Sequence, residues 1–346
     1  MLAGARPRPD GSYRIAAGRL LPGRILGGFH YEGTRPDDPN DVVPHEHRRE
    51  LRALRVFGAW TNLTDMKAGN TLDTLVVEGG RARVRHYLQD VGSTFGVGAQ
   101  GPHDWSEGWE YVWQQGPALR RLFTLGLALS PWQTVRYADV PAIGRFEGEA
   151  FDVERWRPRA PVGAVIEMRD DDAFWAARRV MAFSDDAIAD IVGTAAFADP
   201  RASELLARVL IQRRDRIGRT YLPRLTPVVA PRLDDAGRLS FANAAVDHKV
   251  ATAPRRYTAR WYTFDNTTQA STPIGDTSAT TTHVEPPAGL PRGDGTFVRV
   301  DIAADHPDHR AWQRPVEAYF RRTGAAWTLV GLVRLPPGGE GRTVRR

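Results

Sequence analysis

Cysteine is absent from the 346-residue chain, and lysine nearly so. Without thiols there are no disulfides, no thiolate nucleophile and no cysteine-based zinc or iron–sulfur site. No window approaches the ~18 uninterrupted apolar residues of a spanning helix, so no membrane span is expected. The opening residues are polar and hold Pro7 and Pro9, the pattern of neither a signal peptide nor an anchor, which leaves a cytoplasmic location as the default expectation. Of 47 basic residues only Lys67 and Lys249 are lysines. That bias matches GC-rich coding, which favours arginine codons. The arginines are spread among acids with no block of five like charges, so the net charge of +6 does not point to nucleic acid as partner.

What is present, 42% hydrophobic and 25% charged residues, belongs to a globular protein long enough for two domains. Two short strands are expected around the Pro22-Gly23 turn, one running from 13–16 to 20–21 and the other at 27–31. Pro44 opens a helix to about residue 63, with Leu51, Leu54, Phe57 and Trp60 on its apolar face. Arg48, Arg49, Arg52 and Arg55 mark its wet side. A hairpin follows: residues 71–78, the turn Gly79-Gly80, and residues 83–88. A helix is expected over 117–129, irregular chain over 130–169, and helices near 171–183, 185–196 and 200–222. Asp199 and Pro200 announce the last of these. From about 255, alternating β-branched and aromatic runs predict a separate β domain, a small sandwich.

The stretch that carries chemistry is Asp65 to Gly92. Asp65-Met66-Lys67-Ala68-Gly69-Asn70 is a D-x-K-x-x-N loop after a helix, and Asp90-Val91-Gly92 ends the hairpin twenty residues on. Phosphoryl transfer needs a carboxylate near the attacking hydroxyl, oxygen ligands for Mg²⁺, and a cation on the transferring group. These residue types in this order meet that need. Lys67, one of two lysines in an arginine-rich chain, favours a chemical reason for its presence.

The order helix, D-x-K-x-x-N loop, strand, turn, strand, D-x-G resembles the catalytic core of the protein kinase-like superfamily. Asp90 to Gly96, a D-x-G followed by Phe95-Gly96, resembles its atypical branch of phosphoinositide and secretory-pathway kinases. Pro44 to Leu51 and His86 to Thr94 are also similar to a group of bacterial proteins with a PHExRREL…HYLxDFGST core. The resemblance implies an α+β chain. Residues 1–43 would be the remnant of a small β-rich lobe, 44–225 a mostly helical kinase-like large lobe and 226–254 a linker. Residues 255–335 would be the sandwich-like domain and 336–346 a flexible tail. It further implies Mg²⁺ and ATP as cofactors and an acceptor of unknown kind. In that scheme Asp65 is the base, Lys67 neutralises the transferring phosphate, Asn70 and Asp90 hold the metal, and Gly92 belongs to the nucleotide site. The front part appears short, without the strand lysine such a lobe carries.

Blander readings stand beside this one. Asp65, Asn70 and Asp90 all suit turns. A kinase-like chain that has lost activity would instead act as a scaffold, with a protein partner on its C-terminal β domain. Gly23 to Gly28 fits a β-turn better than a phosphate loop. His45-Glu46-His47 fits a helix-start or ion-pair role better than zinc. Trp105, Trp109 and Trp113 lie at helical spacing, for a core or interface rather than a sugar platform. His86 reads as a packed or edge residue, and Asp170-Asp171-Asp172 as a helix start. A Ser-His-Asp relay lacks its G-x-S-x-G and is set aside.

Overall fold

A computed structural model describes residues 7, 10–13, 18–98 and 101–335. The chain forms two compact units, Met1–Phe29 with Ala68–Asp90, and His30–Lys67 with Val91–Arg346.

The first unit is built on an antiparallel sheet of β1 (Arg24–Gly27), β2 (Thr71–Glu78) and β3 (Arg81–Leu88), in that order. Gly79 and Gly80 both have positive φ, +56° and +74°. That is the two-residue turn whose twist matches a hairpin, and it sets the register Glu78↔Arg81 through Thr71↔Leu88. Gly23 has φ +91°, and a Cβ there would lie 2.4 Å from the Leu75 carbonyl oxygen. The glycine run therefore serves a strand and its turn. Residues 20–21 form no strand, the strand expected at 27–31 sits instead at Arg24–Gly27, and most of 13–16 lies outside the described residues.

The second unit begins with helices. They are α1 (Arg49–Thr61), α2 (Gln115–Phe123), α3 (Gly163–Ile166), α4 (Asp170–Met181), α5 (Asp185–Gly193) and α6 (Pro200–Tyr221), with a two-stranded ribbon β4 (Val97–Gly98) and β5 (Gly101–Pro102) after α1. The expected helices of the 170–222 block are all present. Ser184 caps α5 by accepting from Ala187 N–H, and Asp199 caps α6 by accepting from Arg201 N–H. Ala53, Val56 and Ala59 of α1, Ala173, Ala176, Ala177 and Val180 of α4, and Ile217 of α6 are buried, and their small volumes let the helices approach closely.

Two sequence expectations fail here. Arg52 and Arg55 are not on a wet face: they are only 9% and 2% exposed. Arg52 meets Asp172 with a fork of bonds at 2.6 and 2.9 Å, and Arg55 donates to the Glu154 carbonyl at 2.7 Å. Helical periodicity counts polarity and cannot see a partner on another helix. The three tryptophans do not share a helix either, since residues 104–114 run as turns and bends. Trp105 and Trp113 are exposed, and Arg145 stacks over the Trp105 ring at 4.0 Å.

The unit ends in β structure. After β6 (Val228–Leu233), β7 (Leu239–Asn243) and the short α7 (Ala244–Asp247) come β8 (Arg256–Phe264), β9 (Ser271–Ala279) and β10 (His283–Val284). Then follow β11 (Phe297–Asp305), β12 (Val316–Thr323) and β13 (Ala326–Val333). They make an open antiparallel sheet, β13-β12-β11-β8-β9, and a three-stranded sheet, β10-β7-β6. Neither closes into a barrel or a sandwich, which corrects the sandwich expectation. The alternating pattern reports one buried face per strand, and Trp261, Val298, Val300, Ala318 and Phe320 supply it. It does not say that a second sheet covers that face. Residues 226–254, expected as a linker, hold β6, β7 and α7. Pro227, Pro231 and the Asp234–Gly237 turn had disguised two short strands as a break. The tail at 336–346 lies outside the described residues. The chain is thus a mixed α+β protein.

Candidate functional site

The loop after α1 starts from a defined stop. Asn62 takes the left-handed conformation, φ 57°, ends the helix with a main-chain bond to Gly58, and accepts Trp156 Nε1–H on its side chain at 2.9 Å. Leu63, Thr64 and Met66 are buried, while Asp65 between them is half-buried. The Asp65 carboxylate receives Lys67 Nζ at 2.7 Å.

Thr64 is held from several sides within the second unit. Its N–H donates to Ser93 O at 3.3 Å, its carbonyl accepts Arg159 N–H at 2.9 Å, and its hydroxyl donates to Glu107 Oε2 at 2.8 Å. Ser93 Oγ lies 2.9 Å from His103 Nε2 and 3.2 Å from Thr64 Oγ1. Burial holds the His103 imidazole below its usual range despite the neighbouring Glu107. His103 Nδ1 is 3.7 Å from Glu107 Oε2, too long for the orienting bond of a nucleophile–base–acid relay. The group is a clamp that ties the residue before Asp65 to the residue after Gly92. The sequence reading missed Thr64, Ser93, His103 and Glu107. The one signal available was His103 and Glu107 at i,i+4.

Asn70 and Asp90 belong to the first unit and meet at the open end of the hairpin. The buried Asn70 accepts both Gln89 N–H at 2.9 Å and Asp90 N–H at 3.1 Å on its carbonyl, one step beyond the Thr71↔Leu88 pair. Asp90 is exposed. The predicted residues thus come in two pairs, Asp65 with Lys67 in the second unit and Asn70 with Asp90 in the first. Gly92, exposed, follows in the second unit, next to the clamp residue Ser93.

The other candidates resolve as structure. His45 is buried between the His30 carbonyl, 2.5 Å from Nδ1, and Asp41, 2.8 Å from Nε2, while Glu46 accepts Gly33 N–H. Asp172 caps α4 by accepting Arg169 N–H at 2.9 Å. His86 packs edge-on to Phe29 and bonds Asp73 at 2.6 Å. Among the described residues no three His, Cys, Asp or Glu side chains cluster to hold a metal. Asn70 and Asp90 are joined by main-chain bonds, and the pair has too few side-chain oxygens for a dedicated metal cage. Compared with family models, curated proteins and solved structures, the chain matches none.

Proposed function

We propose that the chain is a kinase-like phosphotransferase, moving the γ-phosphoryl group of ATP to an acceptor with Mg²⁺. One observation carries the reading: the order α1, Asp65–Asn70 turn, β2–β3 hairpin and Asp90-Val91-Gly92, in which the hairpin end ties Asn70 to Asp90. Bound Mg²⁺ would supply charge neutralisation between the phosphates. Asn70 and Asp90 would hold it. Asp65 would orient the acceptor hydroxyl and receive its proton, and Lys67 would exchange its carboxylate partner for the transferring phosphate.

The test is thermal unfolding with ATP and Mg²⁺ on the wild type and on Asp90→Ala, each first shown to be folded by circular dichroism. Nucleotide at 100 times Kd stabilises by about 2.7 kcal/mol. Stabilisation that needs the metal and vanishes in Asp90→Ala supports the reading, and a folded wild type that ignores the nucleotide sinks it. A scaffold role is the second reading. It is favoured by β13, which leaves Leu329, Val330 and Leu332 partly exposed on the outer strand of the large sheet, as a protein partner would require.

A further inference from the structure

Within the second unit a cleft of about 360 Å³ is lined by α2, by the stretch 128–131 and by Arg155 and Arg157. The lining includes four arginines, Arg120 and Arg121 from α2 and Arg155 and Arg157 from a second stretch. Against these four cations the lining carries one acid, Glu110, and that acid is already engaged. It accepts Ser130 Oγ–H at 2.7 Å and Arg121 Nη1–H at 3.1 Å. The half-buried Trp109 ring lines the same space.

The side of the cleft opposite α2 is tied together by main-chain bonds. Arg157 N–H donates to the Gly108 carbonyl at 3.2 Å, and Val112 N–H to the Arg159 carbonyl at 2.8 Å, so the two chain segments are bridged antiparallel. Arg121 is fixed by Glu110 and by Ser130 at 3.2 Å, and Arg157 by the carbonyls of Glu154 and Trp156 at 2.9 Å. Arg120 and Arg155 are exposed, and Arg155 Nε lies 3.5 Å from Asp152 Oδ2 at the surface. Two guanidinium groups are thus held by neighbours, Arg120 is exposed, and Arg155 would exchange its exposed carboxylate partner for a ligand's charge. Guanidinium forks match the paired oxygens of phosphate or carboxylate, and an indole face beside them takes a flat apolar body.

We propose that this cleft binds a small molecule with a doubly negative head on a flat apolar body, an aryl phosphate or an aromatic dicarboxylate. The proposal does not rest on the phosphoryl-transfer reading. Phenyl phosphate and phthalate, titrated separately by calorimetry into the full chain, tell the two heads apart, with inorganic phosphate and phenol as the half-ligands. Saturable binding of one dianionic aryl compound, tighter than either half-ligand, is expected. Arg120→Gln with Arg155→Gln removes the two solvent-facing cations and should weaken binding at least tenfold while the unfolding midpoint stays put. Arg121 and Arg157 are kept because they also hold the frame. Three results would each overturn the assignment: no saturable binding of either aryl dianion, equal binding by the double variant, or inorganic phosphate binding as tightly as phenyl phosphate.

Discussion

Arg52 and Asp172 stand 120 positions apart in the chain and meet inside it. The bond from Asp172 is what raises the Arg52 guanidinium further above its ordinary range. Asp172 also caps α4, so Asp172→Ala removes a cap and leaves Arg52 buried without its counter-charge. A loss of about 3–5 kcal/mol is expected in urea unfolding, and a loss under 1 would show that the pair relaxes into solvent. The fully buried Arg213 poses a different case. It donates to the carbonyls of Glu147 and Ala59 at 2.7 and 2.8 Å and lies over Phe146 and Phe151, and burial pushes it down to about 10. Arg213→Lys keeps charge but not the fork, so a loss of about 2 kcal/mol is expected in the same assay.

Three histidines, His103, His248 and His309, are each held below 6.5 by burial. The unfolded chain therefore binds protons that the folded one resists. The stability these groups contribute is complete above about pH 6.5 and is lost as pH falls through their lower folded values. Urea midpoints measured from pH 8 to pH 5 should decline over the acid part of that range, and less so in His103→Gln. A flat profile would mean that these imidazoles are solvated.

At the scale of the element, α2 differs from the other long helices. None of its nine residues is buried, and Leu122 and Phe123 stand 67% and 81% exposed. A helix with no buried face rests on its own hydrogen bonds and, here, on the tie from Arg121 to Glu110 and Ser130, and nine residues are too few for that to hold it firmly. Hydrogen exchange should be fast along α2 and slow along α6; protection of α2 equal to that of α6 would contradict this. The same contrast explains what the chain order revealed. Period 3.6, caps and the Gly79-Gly80 turn located α1, the hairpin and α4 to α6 within a few residues, because each signal is local. The site was half legible for the same reason. Asn70 and Asp90 could be paired from the hairpin alone, whereas the Thr64–Ser93–His103–Glu107 clamp depends on three loops meeting. The sandwich failed because alternation describes one face of one sheet. The linker failed because prolines at 227 and 231 read as breaks when they sit beside and within a short strand.

For the whole molecule, the charge balance takes a different meaning once the arginines are located. Arg55, Arg213, Arg214, Arg216 and Arg334 all donate to main-chain carbonyls, those of Glu154, Glu147 and Ala59, Phe183, Phe151, and Thr226 and Val228. These five, of 47 basic residues, thereby satisfy loop backbone and helix ends. The surplus cannot be counted as a polyanion-binding face. A fluorescent DNA duplex at 0.15 M salt should accordingly show no binding tighter than the ordinary non-specific range of about 10⁻⁴–10⁻⁶ M. A tight, steeply salt-dependent complex would reverse that reading.

These inward arginines also constrain how the sequence can drift. A coding bias adds arginine wherever a cation is tolerated, and at first each addition is reversible to lysine. Once a guanidinium bridges two carbonyls, as at Arg213 and Arg334, lysine no longer fits the role, because one ammonium cannot copy a planar fork. What entered as a neutral consequence of base composition then becomes a requirement of the fold. In descendants with AT-rich genomes, exposed positions such as Arg83 would be free to become lysine, while those forks would stay arginine.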